Sequence, residues 1–523
     1  MGNPGKYIMH NNMKRRDFLK TMAYTATSSL YFRSATSCAA EKAPKPDMLL
    51  IMPDQMRGDC LSILGHSAVR TAQLDKLAGR GALFRRAYTS VASCIPARYA
   101  LLTSLYPQTS GVVGFGAKPF STQTLPELLG KSGYATVLVG RNMHQPAASE
   151  SCGYQKRISG STYVANDEYD MFLKRSAPET GGIRKLVKKL DVTYNHWQAQ
   201  PWPLPDNLHP TEWIVAQSRK VVREADVDKP LFLTTSFYAP HPPLFPPKKY
   251  FDAYLKKKLP GPAHGDWVNW KALSPKGDKT GHRILLQGEI LRAAQAGYFG
   301  LIEHLDDQIS SLIGDFKTRS EKAGRSWVIV VTSDHGEMLG DHGYFRKCEP
   351  YEGSANIPLI ICGSPDLSFK PGLRIEQPVC LEDIMPTLLA LAGTKSPTRV
   401  DGVNLVPVLR GQKQIIREWL HFEHAPCYSQ EQAFHALTDG HFKYIWRPIS
   451  GKEHLFDLEK DLKEEHDLSN DASHSTILKT WRRRLIQRLA NRPEGFSKNG
   501  RLIPGRPYRT LNKGMMSADG RRY

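Results

Sequence analysis

Asp47-Met48-Leu49-Leu50-Ile51-Met52-Pro53-Asp54 is a short apolar run that closes on a proline and a carboxylate. Strands covered on both faces read as continuous apolar runs, so the stretch predicts a buried strand with an acid at its C-terminal end. Four more runs have the same character. They are Ala135 to Val139 ending at Gly140, Leu231 to Phe237, Trp327 to Thr332 ending at Ser333-Asp334-His335, and Leu359 to Ile361. Helical spacing occupies Ala72 to Gly79, Thr124 to Lys131, Glu212 to Glu224, Gly297 to Phe316 and Leu381 to Leu391. Leu301, Ile302, Leu305, Ile309 and Leu312 share one helical face. The alternation predicts an α/β fold with a large, mostly parallel sheet sandwiched by helices. Ligands of such sheets bind at the carboxyl ends of the strands, where Asp54 and Asp334-His335 both fall.

Outward from this frame, the 523 residues divide unevenly. Residues 43–411 are expected to form the large domain. Two stretches within it, Leu173 to Pro210 and Lys256 to Lys279, read as insertions rich in Lys, Trp, Pro or Gly. Near residue 412 the pattern shifts to short β-like segments: Arg417 to Phe422, Ala433 to Thr438, Phe442 to Arg447 and His454 to Asp457. A helical stretch from Thr476 to Leu489 follows. That is the pattern of a small α+β C-terminal domain over 412–495. A basic tail over 496–523 reads either as a solvated segment or as a surface for a polyanion.

Forty per cent hydrophobic and 23% charged residues make a globular chain and exclude collagen-like, coiled-coil and wholly disordered readings. No run of eighteen or more apolar residues is present, so no transmembrane segment is expected. Lys and Arg number 71 against 51 Asp and Glu, a net charge of +20, which favours an anionic partner. No helix-turn-helix, zinc-finger or RNA-binding aromatic signature accompanies that charge, so nucleic acid is not the expected partner. Eight scattered cysteines without a CxxC argue against an iron–sulfur or zinc-ribbon site. Met13-Lys14-Arg15-Arg16-Asp17-Phe18-Leu19-Lys20, then weakly apolar residues and small residues near Ala35 to Ala40, resemble a twin-arginine export signal over 1–42. An exported protein of the periplasm or cell surface is the expectation. Cys38 is a candidate lipid-anchor cysteine, although the usual Leu three residues before it is absent.

The chemistry centres on Cys94-Ile95-Pro96-Ala97-Arg98, followed by Leu101-Leu102-Thr103-Ser104-Leu105-Tyr106-Pro107 and Gly111. This string resembles the signature of the type I sulfatases, formylglycine enzymes of the alkaline-phosphatase-like superfamily. Leu49 to Gln55 resembles that family's first metal-binding strand. Thr332-Ser333-Asp334-His335-Gly336-Glu337-Met338-Leu339-Gly340-Asp341-His342-Gly343 resembles its second, with Lys347 at the usual distance. Tyr238-Ala239-Pro240-His241-Pro242-Pro243 resembles its histidine loop. Leu455 to Leu458 with Asp461 and Asp467-Leu468 resembles its C-terminal closing pattern.

The residue types suit the reaction. A sulfate ester needs a cation on its oxygens, an in-line nucleophile and an acid for the departing alkoxide. Asp54, Gln55 and Asp334 offer hard oxygen ligands for Ca²⁺ or Mg²⁺, and His335 softens the set enough to admit Mn²⁺. The resemblance implies Ca²⁺, with Cys94 completing the metal set. It also implies that a maturase oxidises Cys94 to formylglycine, whose hydrate attacks sulfur through one hydroxyl and expels sulfate through the other. Arg98 would then stabilise the hydrate, Lys347 would hold a sulfate oxygen, His241 would be the acid and His144 the base.

Two departures stand out. Gln55 replaces a usual second Asp, as in related phosphonate and sulfate ester hydrolases. Gly140-Arg141-Asn142-Met143-His144 replaces G-K-x-H, leaving Arg141 or Asn142 for the lysine's role as substrate contact, with Arg141 preferred. The leading expectation is an exported sulfatase acting on a sulfated glycan or small sulfate ester, with Trp197, Trp202 or Trp213 stacking on sugars. The alternatives are a phosphonate monoester or phosphodiester hydrolase, and a non-catalytic polyanion binder.

Overall fold

The computed structural model describes residues 44–143, 151–278, 281–412 and 415–510. The export segment, Cys38 and His144 lie outside the described residues. An eight-stranded sheet forms the frame, built from β1 (Asp47–Asp54), β2 (Ala82–Phe84), β3 (Ala135–Gly140), β4 (Lys156–Ser159), β5 (Leu231–Pro240), β6 (Trp327–Thr332), β7 (Leu359–Gly363) and β8 (Leu373–Ile375). Its spatial order is β4-β3-β5-β1-β6-β7-β2-β8. All neighbours run parallel except β7, which is antiparallel to both β6 and β2. The short β2, β4 and β8 carry too little apolar pattern to be foreseen.

Alternation along β1 explains how the sheet is buried on both sides. Leu49 and Ile51 point into one apolar layer with α1 (Ala72–Arg80), α4 (Pro210–Glu224) and the long α5 (Gly288–Lys322). Met48, Leu50 and Met52 point into the opposite layer with α2 (Cys94–Thr103), α3 (Leu125–Lys131) and α6 (Ile384–Leu391). The helical spacing over Gly297 to Phe316 marks only the middle of α5, because its first turn is exposed and the buried residues near its C-terminal end, Arg319 and Ser320, are polar. Among the described residues no helix is long and apolar enough to cross a membrane.

A second, antiparallel sheet of β9 (Leu420–His424), β10 (Phe434–Thr438), β11 (Phe442–Trp446) and β12 (Glu453–Asp457) carries α7 (Ser475–Arg488) on one face. Its other face packs through Phe422, Phe434, Ile445 and Phe456 onto Tyr88, Met338 and Tyr351 of the large unit. The first part of the tail is not loose, since Phe496 and Tyr508 are buried against β10, β11 and α7.

One expectation is corrected. Trp197, Trp202 and Trp213 are only 8%, 6% and 5% exposed. They pack edge-on against Phe345, His209 and Tyr169 and belong to the core, so none is available to stack on a sugar.

Candidate active site

Four neighbouring parallel strands, β3, β5, β1 and β6, end side by side. Each delivers a polar residue as its chain leaves the sheet: Arg141 after β3, His241 after β5, Asp54 and Gln55 at the end of β1, Asp334 and His335 after β6. Gly140 makes the close approach possible. Its φ is +98°, and a Cβ there would sit 2.0 Å from the Ser236 carbonyl oxygen.

The fifth contribution is the N-terminus of α2. Cys94 is its first residue. Pro96 falls in the first turn, where its missing N–H costs no helical hydrogen bond. Arg98 sits one turn on, on the same face as Cys94. The spacing of the cysteine, proline and arginine is therefore the geometry of a buried helix start. Ser93, just before it, shares a 2.8 Å hydrogen bond with His424 Nε2 from β9.

A ligand atom from each of Asp54, Cys94, Asp334 and His335 lies within 4.8 Å of the others. His335 donates its Nδ1–H to the Gly336 carbonyl at 2.9 Å, which leaves the Nε2 lone pair facing Cys94 Sγ at 3.1 Å. Gln55 adds an amide oxygen. With φ +69° its backbone N–H turns back onto Asp334 Oδ1 at 3.1 Å. Two carboxylates, an amide oxygen and an imidazole nitrogen make a donor set that fits a hard divalent cation.

Three protein cations enclose the same space. Arg98 bridges Asp54 Oδ2 at 2.8 Å and Asp334 Oδ2 at 3.0 Å. Arg141 Nε is 2.7 Å from Asp54 Oδ2, and its Nη2 reaches Cys94 Sγ at 3.7 Å. Its guanidinium lies over both the Tyr163 and Tyr238 rings, 5.1 and 4.6 Å from their centroids. Lys347 Nζ donates to Gln55 Oε1 at 2.7 Å and to His241 Nε2 at 2.9 Å, and lies 3.5 Å from Cys94 Sγ. Of the two candidates for the lysine's role, the Asn142 side chain accepts from the Tyr163 hydroxyl at 2.9 Å, and Arg141 faces the centre.

These contacts set the charge states. Burial alone would raise Asp54, but Arg141 and Arg98 outweigh it and hold the carboxyl below its usual range. Burial likewise opposes Asp334, and His335 and Arg98 pull it down. His241 is driven well below its ordinary value, first by burial and then by the Lys347 charge. Its Nδ1–H donates to the Pro242 carbonyl at 2.6 Å, so it is neutral with Nε2 as acceptor. Burial, reinforced by the Asp54 charge, pushes the Cys94 thiol up to about 12. At neutral pH the thiol is protonated and is a poor nucleophile as it stands.

Sequence reasoning passed over Glu337, Tyr163, Ser236 and His424. Glu337 and Tyr238 stood inside recognised motifs with no role attached. Ser236 donates nothing a motif could flag, yet its Oγ accepts from Arg98 at 3.1 Å. His424 comes from the C-terminal sheet and carries no local signal. A second cluster, His421, Glu423 and His435, also gathers possible ligand atoms. Arg492 at 2.9 Å and the Tyr508 hydroxyl already hold Glu423, and Arg488 stands 3.5 Å from His421. That cationic, closed network disfavours a metal.

Comparison with known proteins agrees with this geometry. The sulfatase family model matches residues 46–394, and the model of the N-sulphoglucosamine sulphohydrolase C-terminal region matches 340–491. An arylsulfatase of Clostridium perfringens is 35% identical over 485 residues, covering 89% of this chain and 99% of that one. The phosphonate monoester hydrolase of Agrobacterium radiobacter superposes with a TM-score of 0.72 at 24% identity, covering 85% of this chain and 96% of that one. A structure solved in complex with D-glucosamine-2-N,6-O-disulfate gives 0.67 at 20% identity, covering 86% and 99%. With the matched region spanning both halves of the buried cysteine-centred site, the chain belongs to the sulfatase family and is a sulfuric ester hydrolase.

Proposed function

We propose that this enzyme removes sulfate from sulfated glycans outside the cytoplasm, with Ca²⁺ as its ion and Cys94 in the formylglycine form. The observation that carries the reading is the ring of Arg98, Arg141 and Lys347 around Cys94, closed by Asp54, Asp334 and His335. Sulfatases generally use a metal ion and a formylglycine, which supply Lewis-acid charge and a geminal-diol nucleophile respectively. Asp54, Gln55, Asp334 and His335 would hold the ion. The net charge of +20 suits a polyanionic substrate, and the Arg15-Arg16 segment suits export.

The residues divide the remaining work. Arg98 orients the nucleophile through its hold on Asp54 and Asp334. Lys347 and Arg141 take sulfate oxygens, the first as a point charge and the second as a flat fork. His241 serves the leaving oxygen as acid. It must first gain a proton at Nε2, which the Lys347 ammonium opposes in the free enzyme. An anionic ester beside Nε2 favours that proton, so the acid is charged only when substrate is present. His144 is assigned the base. Residues 43–411 carry the catalytic machinery and 412–495 brace it.

The first test is the mass of the tryptic peptide Ala87 to Arg98 from protein matured in its native host. Replacement of CH₂–SH by CHO is expected. An unmodified thiol in a host that matures other sulfatases overturns the formylglycine assignment. Gln55 and the fold shared with a phosphonate monoester hydrolase favour a second reading, hydrolysis of phosphonate monoesters or phosphodiesters. Rates on paired sulfate and phosphate esters separate the two, and a preference for the phosphorus ester reverses the order.

A further inference from the structure

The amide at position 55 has a partner that explains it. Gln55 is fully buried, and each end of its side chain is engaged differently. Its Nε2 donates to Glu337 Oε2, and its Oε1 accepts from Lys347 Nζ at 2.7 Å. Glu337 is also fully buried, and every hydrogen bond it makes is as acceptor. Oε1 takes the backbone N–H of Leu339 at 2.8 Å and that of Arg346, while Oε2 takes the Gln55 amide. The Arg346 contact matters because Lys347 is the next residue. Glu337 therefore grips the lysine's loop through its backbone and the lysine's ammonium through Gln55.

We infer that Glu337 is a positioning residue: through the Gln55 amide it fixes the oxygen that holds Lys347 beside Cys94, and it is the reason position 55 carries an amide. A carboxylate at 55 would set acceptor against acceptor at Glu337 Oε2, with no N–H between them. An amide satisfies both sides, donating to Glu337 and accepting from Lys347. Its orientation is not free. If it turned over, Nε2 would face the ammonium, donor against donor. The departure from a second acid at the centre is thus a local consequence of hydrogen-bond polarity. Gln55 Oε1 keeps a second lone pair, so holding Lys347 and facing a cation are compatible.

The donor and acceptor at positions 55 and 337 can be exchanged by substitution. In Glu337→Gln the new amide must keep its oxygen on the Leu339 and Arg346 N–H groups, so its NH₂ meets Gln55. Gln55 then turns over, and Lys347 loses its acceptor. In Gln55→Glu two acceptors meet. In the double variant Gln55→Glu, Glu337→Gln the pattern closes again: the new amide donates to one oxygen of residue 55, and Lys347 donates to the other.

The inference rests on the sulfatase reading of this site, so activity on an aryl sulfate is measured beside a structural readout on metal-free protein. Each single variant is expected to lose about 10- to 100-fold in kcat/KM, as removal of an outer-shell partner does. The double variant is expected to regain most of that loss. A residue that merely supports the fold would give losses that add. Crystals of metal-free Glu337→Gln protein are expected to show the residue 55 amide turned and Lys347 Nζ withdrawn from Cys94. Full activity of Glu337→Gln, or an additive double variant, overturns the inference. So does an undisturbed Lys347 in the crystals, a result that also decides the matter if the double variant does not fold. Wild-type protein inactive on every sulfate ester would instead count against the reading of the site, leaving the crystallographic arm to judge Glu337.

Discussion

Arg141 shows how much one side chain can concentrate. It neutralises Asp54, borders Cys94 and lies over two tyrosine rings, all at 2% exposure. Lysine, the residue the resemblance leads one to expect, supplies the charge but neither the flat face for the rings nor a fork for two acceptors. Arg141→Lys is therefore expected to lower kcat/KM on an aryl sulfate about a hundredfold, the scale of losing one preorganised charge donor. Retention of wild-type kcat/KM would mean that charge alone matters at this position.

At the level of elements, α5 carries a pH dependence. His304 is fully buried in it, with the His209 and Tyr250 rings 4.7 and 5.2 Å away. Burial pulls it from an ordinary 6.5 down to about 3, so it is neutral in the fold. The unfolded chain binds the proton near pH 6.5 and the folded chain does not. Stability from the neutral ring is complete above pH 6.5 and is lost as pH falls toward 3. His304→Gln is expected to remove about 1.4 kcal/mol per pH unit from the slope of stability between pH 6 and 4. Urea unfolding at several pH values measures that slope, and an unchanged slope refutes the assignment. The element itself was legible from Leu301, Ile302, Leu305, Ile309 and Leu312, but its buried histidine was not. A histidine on an apolar stripe looks the same in sequence whether it is solvated or enclosed.

Across the whole molecule, the small sheet braces the loop that carries Lys347. Arg447, just past β11, pairs with the buried Glu349 at 2.7 Å, and His282 holds the other oxygen of Glu349 at 2.9 Å. Lys443 of β11 reaches Glu352 at 2.6 Å and the Pro350 carbonyl at 3.1 Å. These contacts grip the segment immediately after Lys347. Arg447→Ala would leave Glu349 buried without its cation, a loss of about 3 kcal/mol in stability. It is also expected to lower kcat through a loosened Lys347. Unfolding and kinetics on the same preparation check both effects, and a destabilised variant with unaltered kcat would confine the brace to stability.

The sequence alone determined the frame and the local motifs that meet at the strand ends. Continuous apolar runs identified five strands, because burial on both faces leaves no polar alternation. The acid at the end of β1, the Asp-His pair after β6 and the cysteine–arginine spacing of one helical turn are all local patterns. Tertiary structure decided the rest. The three tryptophans that composition offered to a sugar are core residues, since exposure depends on what packs above them. Arg141 rather than Asn142 faces the centre, because Gly140 at φ +98° turns the chain there and Tyr163 takes the asparagine. The pairing of Gln55 with Glu337 joins residues 282 positions apart. Such long-range hydrogen-bond polarity leaves no periodic trace in the chain, and only the assembled sheet brings it into being.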